Sequence, residues 1–207
     1  INPNSALTRI YIEGSPEIAK AGEYVIDVSE YSTEDTGKKT IQYYQLKHTT
    51  VQGDEPFTIS DLKDTFTGFA SRYIQHAKEN TEDISAIFFT IITNRKFSDS
   101  FKANLSAIIK KGNVNSVFKR TIESYTNLSG DDLMLFCRMI NLEDSEGNYK
   151  IQKDDLRIEI SQLISGSVDN AQIESIVALV QERVMPDSDG TISREDILKR
   201  FGISSER

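Results

Sequence analysis

Residues 22–50 read GEYVIDVSEYSTEDTGKKTIQYYQLKHTT. Tyr24–Tyr31 and Lys39–Thr49 are rich in Val, Ile, Tyr and Thr, residues that suit a pleated, half-buried surface, so they predict two strands. Between them STEDTGK supplies turn chemistry, with Gly37 as the left-handed residue. Side chains alternate along a strand, which puts Gln45 and Lys47 on one face and Leu46 on the other. Pairing of the two strands brings Asp27 beside that Gln-x-Lys pair. A carboxylate, an amide oxygen and a lysine on one sheet face are a way to hold a divalent cation and activate a water.

Outward from this pair, Leu7–Glu13 (LTRIYIE) predicts a preceding strand, and GSPEIAKAGE a loop punctuated by Gly14, Pro16 and Gly22. On the other side, VQGDEPFT is a loop and Ser60 an N-cap. Leu62, Phe66, Phe69, Ala70, Tyr73, Ile74 and Ala77 then recur at helical spacing, predicting an amphipathic helix over 60–79. Ala86–Thr93 (AIFFTIIT) is the continuous apolar run of a strand buried on both faces. Strand, helix and strand in this order predict a βαβ crossover. Ser98–Lys110 is a further helix, and Val114–Thr126 offers a short strand. Beyond Ser129 helices are predicted at Asp131–Ile140, Asp154–Ile164, Asn170–Val184 and Ser193–Phe201. The expected organisation is an α/β core over 1–128 and a mainly helical region over 129–207.

A chain of 207 residues, 38% hydrophobic and 27% charged, has the composition of a globular protein with a sizeable core. No apolar run approaches the roughly 18 residues of a membrane span, and no signal peptide opens the chain. The single cysteine, Cys137, excludes an internal disulfide and a cysteine-based zinc site and fits a reducing cytoplasm. The chain opens on Ile1, which is the expectation for a fragment of a longer protein. Net charge is −8, of which −7 falls after residue 129, so the first part is nearly balanced and carries basic pairs such as Arg95–Lys96 and Lys119–Arg120.

The set Asp27, Gln45-x-Lys47, carried by YIEG (11–14), VID (25–27), YQLKH (44–48) and TNR (93–95), resembles the PD-(D/E)XK, or restriction-endonuclease-like, nucleases. The resemblance is to their Gln-x-Lys variant and covers residues 7–110. It implies a mixed sheet flanked by helices, with an N-terminal helix truncated here. It also implies catalysis by Asp27, Gln45 and Lys47, and Mg2+ or Mn2+ held by Asp27, Gln45 and Glu13. Arg95 and His48 are then possible phosphate contacts; a surface turn and a sheet-edge cap are the plain alternatives. The implied function is a double-stranded DNA endonuclease effector of bacterial anti-phage proteins, cytoplasmic and switched on by self-association through domains outside this chain. Gln45 stands where the family's usual acid would be, which leaves open an inactive assembly module, and nothing distinguishes DNA from RNA as substrate.

Other chemistries lack their parts. There is no GxxxxGK[ST] loop, no GxGxxG and no GxSxG elbow. The run MPDSDGTISRED (185–196) has Gly190 where a calcium loop needs glycine, but Met185 replaces the first acid. Ser193 and Asp196 read better as the cap of a terminal helix. His76 reads as an exposed helix residue, and Cys137 within LMLFCRMI as a core one.

Overall fold

The computed structural model describes residues 7–12, 21–33, 37–49, 55–79, 86–144, 146–147, 149–163, 166–185 and 187–202. Strand β1 (Leu7–Ile12), β2 (Val28–Thr33) and β3 (Lys39–Lys47) form an antiparallel meander. Helix α1 (Lys63–Glu79) then crosses to β4 (Ile87–Thr93), which lies parallel to β3. Helices α2 (Asp99–Ile109), α3 (Ser116–Thr126) and α4 (Gly130–Arg138) lead to β5 (Ile140–Glu143), parallel to β4. Helices α5 (Tyr149–Leu163) and α6 (Asn170–Arg183), strand β6 (Thr191–Ser193) and helix α7 (Arg194–Arg200) complete the order. The result is an α/β fold with one mixed six-stranded sheet, in the order β5-β4-β3-β2-β1-β6, flanked by helices.

The core lies where α1 covers the centre of the sheet. Leu62, just before α1, and Phe66, Phe69, Ala70 and Tyr73 along it are buried at the spacing read from the sequence. Phe69 meets Phe89 of β4 with ring centroids 4.9 Å apart, and Phe89 stacks on Tyr43 of β3 at 5.5 Å. Phe66 and Tyr73 both pack against Phe136 of α4. Aromatic contacts of this kind carry a large apolar area and fix the helix over the strands. A smaller cluster, Ile160, Val168 and Ile173 with Phe201 against it, joins α5, α6 and the end of α7.

Three predicted elements come out differently. The strand expected from Tyr24 begins only at Val28, because Glu23–Val25 form a 3-10 turn. Val25 and Ile26 are buried by that turn; a Cβ on Gly22, at φ 67°, would overlap the Gly68 carbonyl of α1, and one on Gly68 would overlap the Val25 side chain. The segment expected to hold a short strand near 114–126 is helix α3. Asn115 caps it by accepting from Val117 and Phe118 N–H, Asn127 ends it in the left-handed region, and Phe118, Ile122 and Thr126 bury one face. After residue 129 the chain carries helices α4 to α7, and it also supplies the two edge strands of the sheet, β5 and β6. Gly190, at φ 71°, turns the chain into β6, and its carbonyl accepts from Ile12 N–H at 2.9 Å.

Candidate polar site at the ends of the central strands

The β2–β3 register pairs Val28 with Tyr44, so the next pair outward is Asp27 and Gln45. Asp27 stands at a bend just before β2, where its N–H donates to the Tyr44 carbonyl at 2.9 Å. Its carboxylate Oδ2 accepts from Leu46 N–H at 2.6 Å. A side chain thus replaces a backbone partner, ends the ladder and ties the ends of β2 and β3 together.

Gln45 faces α1. The hydroxyl of Thr65, fully buried in the first turn of α1, donates to Gln45 Oε1. Two residues earlier on the same face, the Tyr43 hydroxyl lies 2.8 Å from His76 Nε2, and the Arg72 guanidinium sits 5.2 Å from the Tyr43 ring centre. His76 is therefore buried, not exposed as its sequence position suggests: it is 1% accessible and belongs to a polar row between β3 and α1.

Lys47 closes β3 opposite Thr93 of β4. Among the described residues no hydrogen bond or ion pair holds its ammonium. Beyond it the chain is clamped by Asn94, whose Oδ1 accepts from Thr49 N–H at 3.1 Å and whose Nδ2 donates to the Thr49 carbonyl at 2.8 Å. Lys47, exposed His48, Thr93, Asn94, Glu146 and Gln152 border a crevice of about 340 Å3. It opens at the carboxyl ends of two adjacent parallel strands, where α/β sheets commonly receive ligands.

The remaining candidates fall elsewhere. Arg95 is 6% exposed; its Nε donates to the Glu55 carbonyl at 2.5 Å and its guanidinium lies 4.0 Å from the Phe57 ring centre. Protein partners thus engage the group read as a possible phosphate contact. Partial burial works to raise the Asp61 carboxyl. Hydrogen bonds from Thr58 N–H and its hydroxyl, both 2.8 Å, outweigh this and hold it below the ordinary range, with Arg95 adding to them. On the opposite sheet face the Tyr44 hydroxyl donates to Glu30 at 2.9 Å. Burial first, then Glu30 and Glu143, push that phenol well above its usual range. Within 185–196, Asp196 and Ser193 form a reciprocal cap on α7, Asp196 lies 3.6 Å from Arg183, and Asp189 accepts from Thr191 N–H.

Glu13 lies outside the described residues. Among those described, no group of three or more His, Cys, Asp or Glu is placed to hold a metal ion. Magnesium takes a near-octahedral oxygen shell in which carboxylates carry the balancing charge. The described donors are one carboxylate with an oxygen engaged by Leu46 and one amide oxygen engaged by Thr65.

The geometry defines an α/β fold with a crevice at the carboxyl ends of its parallel strands, lined by Leu46 and Ile92 as well as by the polar residues named above. No family model matches the chain, and no curated protein matches it. Solved structures do share its fold. The Acinetobacter baumannii Cap4 SAVED/CARF-domain containing receptor with the cyclic trinucleotide 3′3′3′-cAAA is similar over 96% of this chain, with TM-score 0.54 and 14% identity. The same receptor with 2′3′3′-cAAA gives TM-score 0.55 at 14% identity over 96% of this chain, and the Moraxella osloensis receptor 0.51 at 13% over 96%. The chain spans about two-fifths of their length, between 40% and 42%.

These findings overturn the nuclease expectation. The structures that share the fold are described as SAVED/CARF-domain containing receptors, not PD-(D/E)XK nucleases, and two of them hold a cyclic trinucleotide, not DNA. The DNA endonuclease effector reading goes with it. Among the described residues no helix is long and apolar enough to cross a membrane.

Proposed function

We propose that this chain is a ligand-responsive module of a receptor for cyclic oligonucleotides, working in defence signalling, and that the crevice beside Lys47 holds a phosphate of the ligand. The observation that carries this is the match of 96% of the chain to receptors solved with such a ligand. The site chemistry supports it. A cyclic oligonucleotide presents one negative charge per phosphodiester, and Lys47 offers an ammonium with no protein partner among the described residues. The Asn94 clamp fixes the backbone at the crevice wall, so little ordering accompanies binding.

Titration calorimetry of the protein carrying this chain, with 3′3′3′-cAAA, 2′3′3′-cAAA and linear triadenylate, tests the proposal. One or both cyclic isomers bind saturably and more tightly than the linear control. Lys47→Ala weakens binding about tenfold or more, the scale of a lost charge-assisted hydrogen bond. A folded protein that binds neither cyclic isomer, or a Lys47→Ala variant that binds as well as the parent, contradicts it.

A further inference from the structure

The main core lies on the α1 side of the sheet, while α6 packs through Ile173 into a separate small cluster with Ile160 and Val168. Between α6 and the other face of the sheet the packing stops short and leaves a cavity of about 530 Å3. Its place follows from the strand registers. Ile10 lies opposite Ile192 of β6, and Ile12 opposite Val28, so alternation puts all four on the face away from Tyr11 and Tyr43. Ile176 and Val180, one turn apart on α6, and Ile197 of α7 line the helix side.

The walls are chemically one-sided. No aromatic ring and no cationic side chain is among the described residues lining the cavity, and Asp27 is the sole polar one. Leu46 N–H holds Asp27 Oδ2 at 2.6 Å. Among the described residues Oδ1 has no hydrogen-bond partner, and no cation pairs with the carboxylate. Leu46 is 53% exposed and Val180 38%, so the cavity leaves large aliphatic side chains against water. A carboxylate beside aliphatic walls favours a ligand that carries a donor, most strongly a cationic one, and disfavours an anion. Nucleobases stack on aromatic rings or guanidinium planes, which these walls lack, so a saturated body suits them instead. An apolar cavity of about 150 Å3 admits benzene, so this one has room for a body on the order of ten carbons.

We infer that this cavity is a second binding site, apart from the crevice beside Lys47, and that it takes a small aliphatic amine. The saturated body fills the space between α6 and the sheet, and the ammonium donates to Asp27. Leu46 lines both cavities, but Lys47 and Asn94 line the crevice alone.

The probe is 1-adamantylamine. The alcohol and the carboxylate of the same cage are its neutral and anionic counterparts, and each is titrated into protein with 13C-labelled isoleucine methyl groups. With the amine, the methyl signals of Ile10, Ile12, Ile176, Ile192 and Ile197 shift saturably, while that of Ile122 in the main core does not. The amine binds about tenfold or more tightly than the alcohol, and the carboxylate more weakly than either. Asp27→Asn keeps an oxygen for the Leu46 N–H but removes the charge, and brings the amine to within about twofold of the alcohol. Val180→Phe fills the cavity from an exposed position and weakens amine and alcohol alike by about fivefold or more. Circular dichroism separates loss of the site from loss of the fold, and the comparison of the three probes on the unaltered protein needs no variant. No saturable shift of the cavity isoleucines with the amine overturns the site. Equal affinity for the three probes, or a folded Asp27→Asn variant that keeps the full preference, overturns the role of the carboxylate and the amine assignment with it.

Discussion

Substituting Gly22 by Ala couples the fold to the site more directly than any other single methyl group. Gly22 sits at φ 67°, where an alanine costs about 1–2 kcal/mol. A Cβ there also overlaps the Gly68 carbonyl oxygen, which is helix backbone and cannot rotate away. Relieving the overlap moves the Glu23–Val25 turn off α1 and opens the packing of Val25 and Ile26, both 2% exposed. Overpacking of this kind costs about 1–3 kcal/mol, so the sum is about 3 kcal/mol. With a urea slope of about 2 kcal/mol per molar, the unfolding midpoint falls by about 1.5 M. Gly37→Ala is the control: its φ is 80°, but nothing lies within 4 Å of the added Cβ. Only the backbone term remains there, about 1 kcal/mol and about 0.5 M. Because Asp27 follows the displaced turn by two residues, Gly22→Ala also weakens the tie between Asp27 and Leu46. Urea titrations that place the two variants at the same midpoint refute the close approach of the turn to α1.

Two further predictions follow from buried and titrating groups. Cys137 is fully buried, and burial pushes its thiol up to about 12, so Ellman's reagent at pH 8 finds no reactive thiol in the native protein and one after denaturation; rapid native labelling contradicts the α4 packing. Asp61 and Asp144 are held below the ordinary carboxylate range, Asp61 by Thr58 and Asp144 by Lys102 and the Phe97 N–H, in both cases against partial burial. Their contribution is complete above that range and lost as pH falls through it, whereas Tyr44, held above its usual range by burial and Glu30, loses its contribution as pH rises past about 10. Thermal unfolding across pH shows a plateau between these limits; a midpoint indifferent to acid refutes the carboxylate assignments.

Much of the fold was legible because its signals are local. The apolar run 87–93 and the helical spacing of Phe66, Phe69 and Tyr73 each identify an element without reference to the rest of the chain. The placement of Asp27 beside Gln45 was also legible, since register between neighbouring strands follows from a short turn. What was hidden depends on distant partners. Strand β6 is three residues long and exists because β1 pairs with it, and β5 because β4 does. Tyr24 reads as a strand residue, yet the contact between Gly22 and Gly68 bends that segment into a turn. His76 looks polar and exposed until Tyr43 supplies its partner, and Thr65 gives no sign in sequence of meeting Gln45, twenty residues away. The family resemblance failed for a related reason. Asp27 and Gln-x-Lys give a spacing, while the bonds from Leu46 and Thr65, which decide what those oxygens are free to hold, are made by the fold.

Hydrogen exchange of the protein carrying this chain, measured with and without saturating 3′3′3′-cAAA, tests most directly whether the crevice receives the ligand. With ligand bound, exchange slows in peptides covering 44–49 and 92–97, the two strand ends that border the crevice, with α3 unchanged. Binding that leaves those two segments at their ligand-free rates contradicts it.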